Sequence, residues 1–134
     1  MELKKSYKGF IYWLIGFVVA TFGCGFFPMS DGSLATRVVL NVTALAVAIL
    51  AFIIYKTEFV YWYNGVSYEA AVKAGSQRRK TYGWEHFKRF GIFAGGYLIF
   101  SVVAHGCGWS LWWDILIATV GLVAVAVSTI WIKL

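Results

Sequence analysis

Two cysteines and a histidine are the residues of this 134-residue chain whose types could do chemistry together. Cys24 sits in the run Phe22-Gly23-Cys24-Gly25, and Cys107 sits in His105-Gly106-Cys107-Gly108. Flanking glycines let two backbones approach to the roughly 7 Å Cα separation that a disulfide needs, and an oxidising outer compartment permits the bond. Two buried structural thiols are the plainer alternative. Both cysteines with His105 give too few ligands for a closed metal site, so neither metal nor cofactor is expected. His86 stands next to Glu85, too close in sequence for the two to face one another on a helix. It reads as a solvated headgroup contact rather than a general base. The chain has no phosphate-binding loop, dinucleotide fingerprint or HExxH motif, and no catalytic residue is assigned.

A second set is polar and uncharged. Asn41, Thr43, Ser101, His105 and Thr119 all lie inside apolar runs, where an unbonded polar group is expensive. Asn41 is expected to bond a neighbouring helix. If the protein conducts anything, these five residues are the candidate lining.

The elements that must position these residues are apolar. With 60% hydrophobic and 13% charged residues, the chain carries too little charge for a soluble domain. Gly9 to Phe27, Val38 to Tyr55, Phe90 to Gly108 and Ile115 to Ile132 are free of charge. Each is about 18 residues long, enough to cross about 30 Å of hydrocarbon. The expected fold is all-α: one domain over 1–134, with four transmembrane helices as two hairpins, 9–55 and 90–132, joined by an amphipathic linker, 56–89. Without Asp, Glu, Lys or Arg inside a span, a charge-coupled carrier is disfavoured.

Charge sorts by position. Lys4, Lys5, Lys8, Lys56, Lys73, Arg78, Arg79, Lys80, Lys88, Arg89 and Lys133 fall on one side of this threading, and Arg37 alone on the other. The positive-inside rule then puts both termini and the linker in the cytoplasm of a bacterial-type inner or plasma membrane. The net charge of +6 therefore points to anionic lipid headgroups, not nucleic acid. Arg78, Arg79, Lys80, Lys88 and Arg89 are the headgroup candidates. In the linker, Asn64-Gly65 signals a turn, and Ser67 caps a short helix from Tyr68 to Ala74 that Gly75 ends. The following stretch leads into the third span, which starts at Phe90 or as early as Ser76.

Finer features bear on assembly. The basic start and first apolar run also fit an exported leader, and Gly23-Cys24 matches a lipoprotein site. Thr21 and bulky Phe22 stand where such sites want Leu and a small residue, so the run reads as a span. Gly9, Gly16, Ala20 and Gly23 form one small-residue stripe, expected to be filled by the chain's own helices. Gly91 and Gly95 make a GxxxG pair, and Ala124 and Ser128 a small face on the fourth span. Pro28 stops the first helix, Asp31 or Ser33 caps the second, and Trp109, Trp112 and Trp113 form an interfacial belt. Both hairpins open on a lysine, Lys8 or Lys88, reach a Gly-Cys-Gly, pass one acid, Asp31 or Asp114, and close on Lys56 or Lys133, as a duplication would.

Four spans with cysteines near one face invite comparison with disulfide-forming quinone oxidoreductases and vitamin K epoxide reductases, but those use Cys-x-x-Cys pairs that this chain lacks. Small multidrug transporters carry a glutamate inside the first span, also absent here. The sequence points to a non-enzymatic channel, transport-type or accessory membrane subunit, working as a homo-oligomer or with another membrane protein. One alternative is a membrane-anchored binding module that reads lipid or a partner through the basic, aromatic linker. Another is an outer-face disulfide or metal protein built on Cys24, Cys107 and His105.

Overall fold

Away from water, an apolar segment can satisfy its backbone N–H and C=O groups only within itself, and every regular element among the described residues is helical. The structure, a computed structural model, describes residues 2–26, 32–63 and 65–134. In chain order it contains α1 (Lys8–Phe26), α2 (Gly32–Thr57), a 3₁₀ turn (Val60–Trp62), α3 (Tyr68–Ala74), α4 (Ser76–Gly106), α5 (Leu111–Ser128) and a final 3₁₀ turn (Thr129–Trp131). Four of these helices, α1, α2, α4 and α5, are long and apolar enough to cross a membrane.

Contacts at the helix ends fix the direction of each helix. Arg37, early in α2, meets His105 late in α4, whereas Gly83, early in α4, abuts Tyr55 late in α2. Asp114, at the start of α5, also reaches Arg37, and Arg89 Nη1 donates to the carbonyl of Ser128 at the far end of α5. Trp13 of α1 donates from Nε1 to the Ala46 carbonyl at 2.9 Å. Leu3, Ile54, Val60, Tyr61, Ala71 and Tyr82 form one buried cluster, against which Ile132 and Leu134 pack. Both ends of the chain thus meet the linking segment at one end of the bundle, the base. The Arg37 end is the tip.

α2 is central, packing most extensively on α4 and also touching α1 and α5. Its Ala44, Ala48 and Ala51 are buried, as their spacing predicts, and Ala94, Tyr97 and Ala118 complete the contact. Small side chains let the helix backbones approach. At Gly83 the approach is closest, because a Cβ there would lie 2.9 Å from the Tyr55 Cα.

Several expectations need correction. Of the two starts left open for the third long helix, Phe90 and Ser76, the structure has Ser76; at 31 residues the helix is about 46 Å long, more than the roughly 30 Å of a hydrocarbon layer. The described residues do not fill the α1 stripe: Gly9 meets the Trp62 ring, but no described residue lies within 4 Å of a Cβ at Gly16 or Gly23. A groove of about 530 Å³ opens there between α1 and α2. The small face of α5 is Ala118 and Gly121, the latter against Phe93, while Ala124 is exposed. The two hairpins also pack differently, since α1 rests chiefly on α2 while α5 touches both α4 and α2. The Ser67 cap, which accepts from the Ala70 N–H, and the end of α3 at Gly75 (φ 82°) are as expected. Pro28, Asp31 and Asn64 lie outside the described residues.

Candidate functional site

The tip of the bundle is held by charges that an uncharged-window reading leaves outside the spans. Arg37 lies in the second turn of α2 and Asp114 in the first turn of α5, and they are 4% and 0% exposed. Arg37 Nε donates to Asp114 Oδ1 at 3.0 Å. The other carboxylate oxygen, Oδ2, accepts from Ser101 Oγ at 2.8 Å and from the Tyr97 hydroxyl at 3.2 Å. One carboxylate therefore ties α2 and α4 to α5. A buried ion pair stays charged only where its remaining hydrogen-bond positions are filled in this way. The two long apolar helices α2 and α5 extend past the uncharged windows to include Arg37 and Asp114, opposite charges from distant parts of the sequence that neutralise one another.

The guanidinium has two further partners. Its Nη2 donates to the Trp109 carbonyl at 2.7 Å, and its Nη1 lies 3.1 Å from His105 Nδ1. A guanidinium can only donate, so Nδ1 is the acceptor and the His105 ring hydrogen sits on Nε2. Asn41 bonds its own helix, with Nδ2 donating to the Arg37 carbonyl at 2.9 Å, and not a neighbour as expected. This bond leaves its Oδ1 and one N–H available.

Beside this network a cleft of about 330 Å³ runs between α2 and α4. Leu34, Val38, Val42, Leu45, Leu98 and Val102 give it apolar walls, and Arg37, Asn41, Ser101 and His105 give it a polar end. Three of the five expected lining residues, Asn41, Ser101 and His105, are thus brought together. Thr43 bonds the Val39 carbonyl in its own helix, and Thr119 is exposed on α5. Arg37, Tyr97 and Asp114 were missed. Two signals were available: Arg37 is the lone basic residue at its end of the bundle, and Tyr97, Ser101 and His105 repeat every fourth residue along one helical face.

The cysteines are not brought together. Cys24 is partly buried near the end of α1, Cys107 is exposed just after α4, and both are free thiols. Their helices are not principal neighbours, since α1 packs chiefly on α2. No group of three or more His, Cys, Asp or Glu among the described residues could hold a metal ion.

At the base, two residues assigned to lipid or solvent are buried. Arg79 is 3% exposed: its Nη2 lies 3.0 Å from Glu58 Oε2, and its Nη1 donates to the Ala71 carbonyl at 2.9 Å. Ser76 donates to the other Glu58 oxygen at 2.7 Å. Glu58 itself has φ 64°, a left-handed conformation uncommon outside glycine, which this network holds in place. His86 is 4% exposed, with its ring stacked on Tyr63 at 4.2 Å, so it is not a solvated headgroup contact. Arg89 is partly buried through its bond to Ser128, while Arg78, Lys80 and Lys88 are exposed, as headgroup contacts require. Lys88 also pairs with Glu85 at 2.9 Å. No family model matches the chain, and no curated protein or solved structure is detectably similar to it.

Proposed function

We propose that the protein is a non-catalytic integral membrane subunit of the transport or accessory type, and that its tip cleft holds an amphiphile drawn from the surrounding lipid. The observation that carries this reading is the convergence of Arg37, Asn41, Ser101 and His105 on one end of an otherwise apolar cleft between α2 and α4. Ligand sites commonly combine apolar walls with a few polar groups that fix orientation. Because Asp114 balances the charge of Arg37, the fitting head is uncharged and accepts hydrogen bonds, as an ester or carbonyl group does. His105 Nε2 and Asn41 are its donors. The ionic groups at the tip are engaged with one another, which favours binding over proton transfer.

The basic base of the bundle faces the cytoplasm in this reading, by the positive-inside rule, and the tip cleft meets the outer leaflet. Native mass spectrometry of protein extracted gently from its host membrane tests the proposal. A retained amphiphile, lost in Asn41→Leu and His105→Phe but kept in Thr119→Val, is the expected result. Equal retention in all three variants overturns it.

A second reading is favoured by α1. Gly16 and Gly23 leave a helix face that no described residue covers, as an assembly of copies would require. Single-molecule counting in lipid bilayers then gives more than one copy, reduced by Gly16→Leu with Gly23→Leu. A wild-type protein that stays single at all protein-to-lipid ratios removes this reading and leaves the cleft untouched.

A further inference from the structure

At the opposite end of the bundle a larger cavity, about 570 Å³, lies among Tyr63, Gly65 and Val66, the first half of α4 and the segment after α5. His86 lines it while only 4% exposed. Its Nδ1 is 2.9 Å from the Tyr82 carbonyl oxygen. A carbonyl can only accept, so Nδ1 carries the hydrogen and Nε2 presents a lone pair. No described residue donates to Nε2. Tyr63, whose ring stacks on this imidazole, also lines the cavity, and its hydroxyl is buried with no partner among the described residues. Burial holds that phenol above its ordinary ionisation range, so it remains an O–H donor. Phe90, Ile130 and Ile132 supply apolar wall, and Lys133 adds an ammonium. A smaller adjoining groove shares Lys133 and adds exposed Arg78 together with Glu85, whose carboxylate pairs with Lys88.

The buried, unpaired Tyr63 hydroxyl is costly, and the two groups want complementary things: an O–H for His86 and a lone pair for Tyr63. A hydroxyl-bearing headgroup supplies both, and an anion beside those hydroxyls suits Lys133. We infer that this cavity receives the headgroup of an anionic polyol lipid, with its phosphate at Lys133 and its hydroxyls at His86 and Tyr63. Basic residues alone attract any anionic lipid. Buried hydrogen-bonding groups distinguish one anionic headgroup from another. Water could satisfy His86 and Tyr63 equally well, but it would confer no preference among lipids.

The test uses the full chain in nanodiscs, with bound lipid quantified by native mass spectrometry. Phosphatidylglycerol carries both a phosphate and a polyol, phosphatidic acid has the phosphate without the polyol, and phosphatidylcholine has no net charge. Wild-type protein is expected to retain phosphatidylglycerol over phosphatidic acid by roughly tenfold, the scale of one hydrogen bond to a buried group. Tyr63→Phe removes one oxygen and preserves the stacked ring, so it removes that preference without unfolding the base. Lys133→Gln weakens both anionic lipids and keeps their ratio. Soluble glycerol phosphate is expected not to displace the lipid, because the apolar wall needs an acyl chain. Equal retention of the two anionic lipids, or a Tyr63→Phe variant with unchanged preference, overturns the inference. Full displacement by soluble glycerol phosphate overturns its assignment to a lipid.

Discussion

Neutralising Asp114 is the sharpest perturbation of the tip. In Asp114→Asn the shape is kept and the charge is lost, so the Arg37 guanidinium, 4% exposed, is left as an uncompensated buried cation. Asp114 accepts from Arg37, Ser101 and Tyr97, and Arg37 donates on to His105 and Trp109. Removing one partner from such a pair costs about 3–5 kcal/mol, whereas replacing both by apolar groups is often close to neutral. Arg37→Met alone should therefore be comparably damaging, since it strands the carboxylate. The double variant Arg37→Met with Asp114→Leu should be less destabilised than the sum of the two single variants by about 3 kcal/mol, at the upper end of measured coupling energies. Reversible unfolding in mixed micelles, read by tryptophan fluorescence, gives the four corners of the cycle. Single variants within about 1 kcal/mol of wild type, the range of exposed ion pairs, or a double variant equal to the sum of the singles, would refute a buried, mutually dependent pair.

The base yields a parallel expectation: Glu58→Gln leaves buried Arg79 unbalanced and should lower stability by about 3 kcal/mol. By contrast, Arg78→Gln, on an exposed residue, should change it by less than about 0.5 kcal/mol in the same unfolding assay. Gly83→Ala forces a Cβ to within 2.9 Å of the Tyr55 Cα, and the separation of α2 from α4 should cost about 1–3 kcal/mol in thermal unfolding. Alkaline sensitivity has a predictable sign at Tyr63. Its phenol is raised above the ordinary value of about 10 chiefly by burial, so above about pH 10 the unfolded chain releases a proton that the folded chain keeps. Stability then falls by up to about 1.4 kcal/mol per pH unit, and Tyr63→Phe should flatten that slope; identical slopes would contradict the assignment.

Sequence made the helices legible because hydrocarbon length and backbone self-satisfaction leave few solutions for uncharged runs. The short helix α3 was equally plain, since Ser67 and Gly75 act within a few residues of themselves. The tip was hidden by the same rule that revealed the spans. A search for uncharged windows ends at Arg37 and Asp114, and nothing local shows that residues 77 apart in the chain cancel each other. Arg79 and His86 were read from the basic character of their neighbourhood. The buried set Arg79, Tyr82, Gly83 and His86 repeats at helical spacing and marks an inward face. Asn41 formed a bond where one was expected but chose its own helix. The stripe of Gly16 and Gly23 fixes which side of α1 is small without saying what covers it.

The central claim, that the tip cleft holds an amphiphile, is tested most directly by photolabelling in native membranes with a lipid carrying a photoreactive group in its acyl chain. The account predicts adducts concentrated on Val42, Leu45, Leu98 and Val102 of the cleft, and predicts their loss in Asn41→Leu and His105→Phe. Adducts spread evenly over exposed Val19, Phe22, Val120 and Val123, and indifferent to both substitutions, would contradict it.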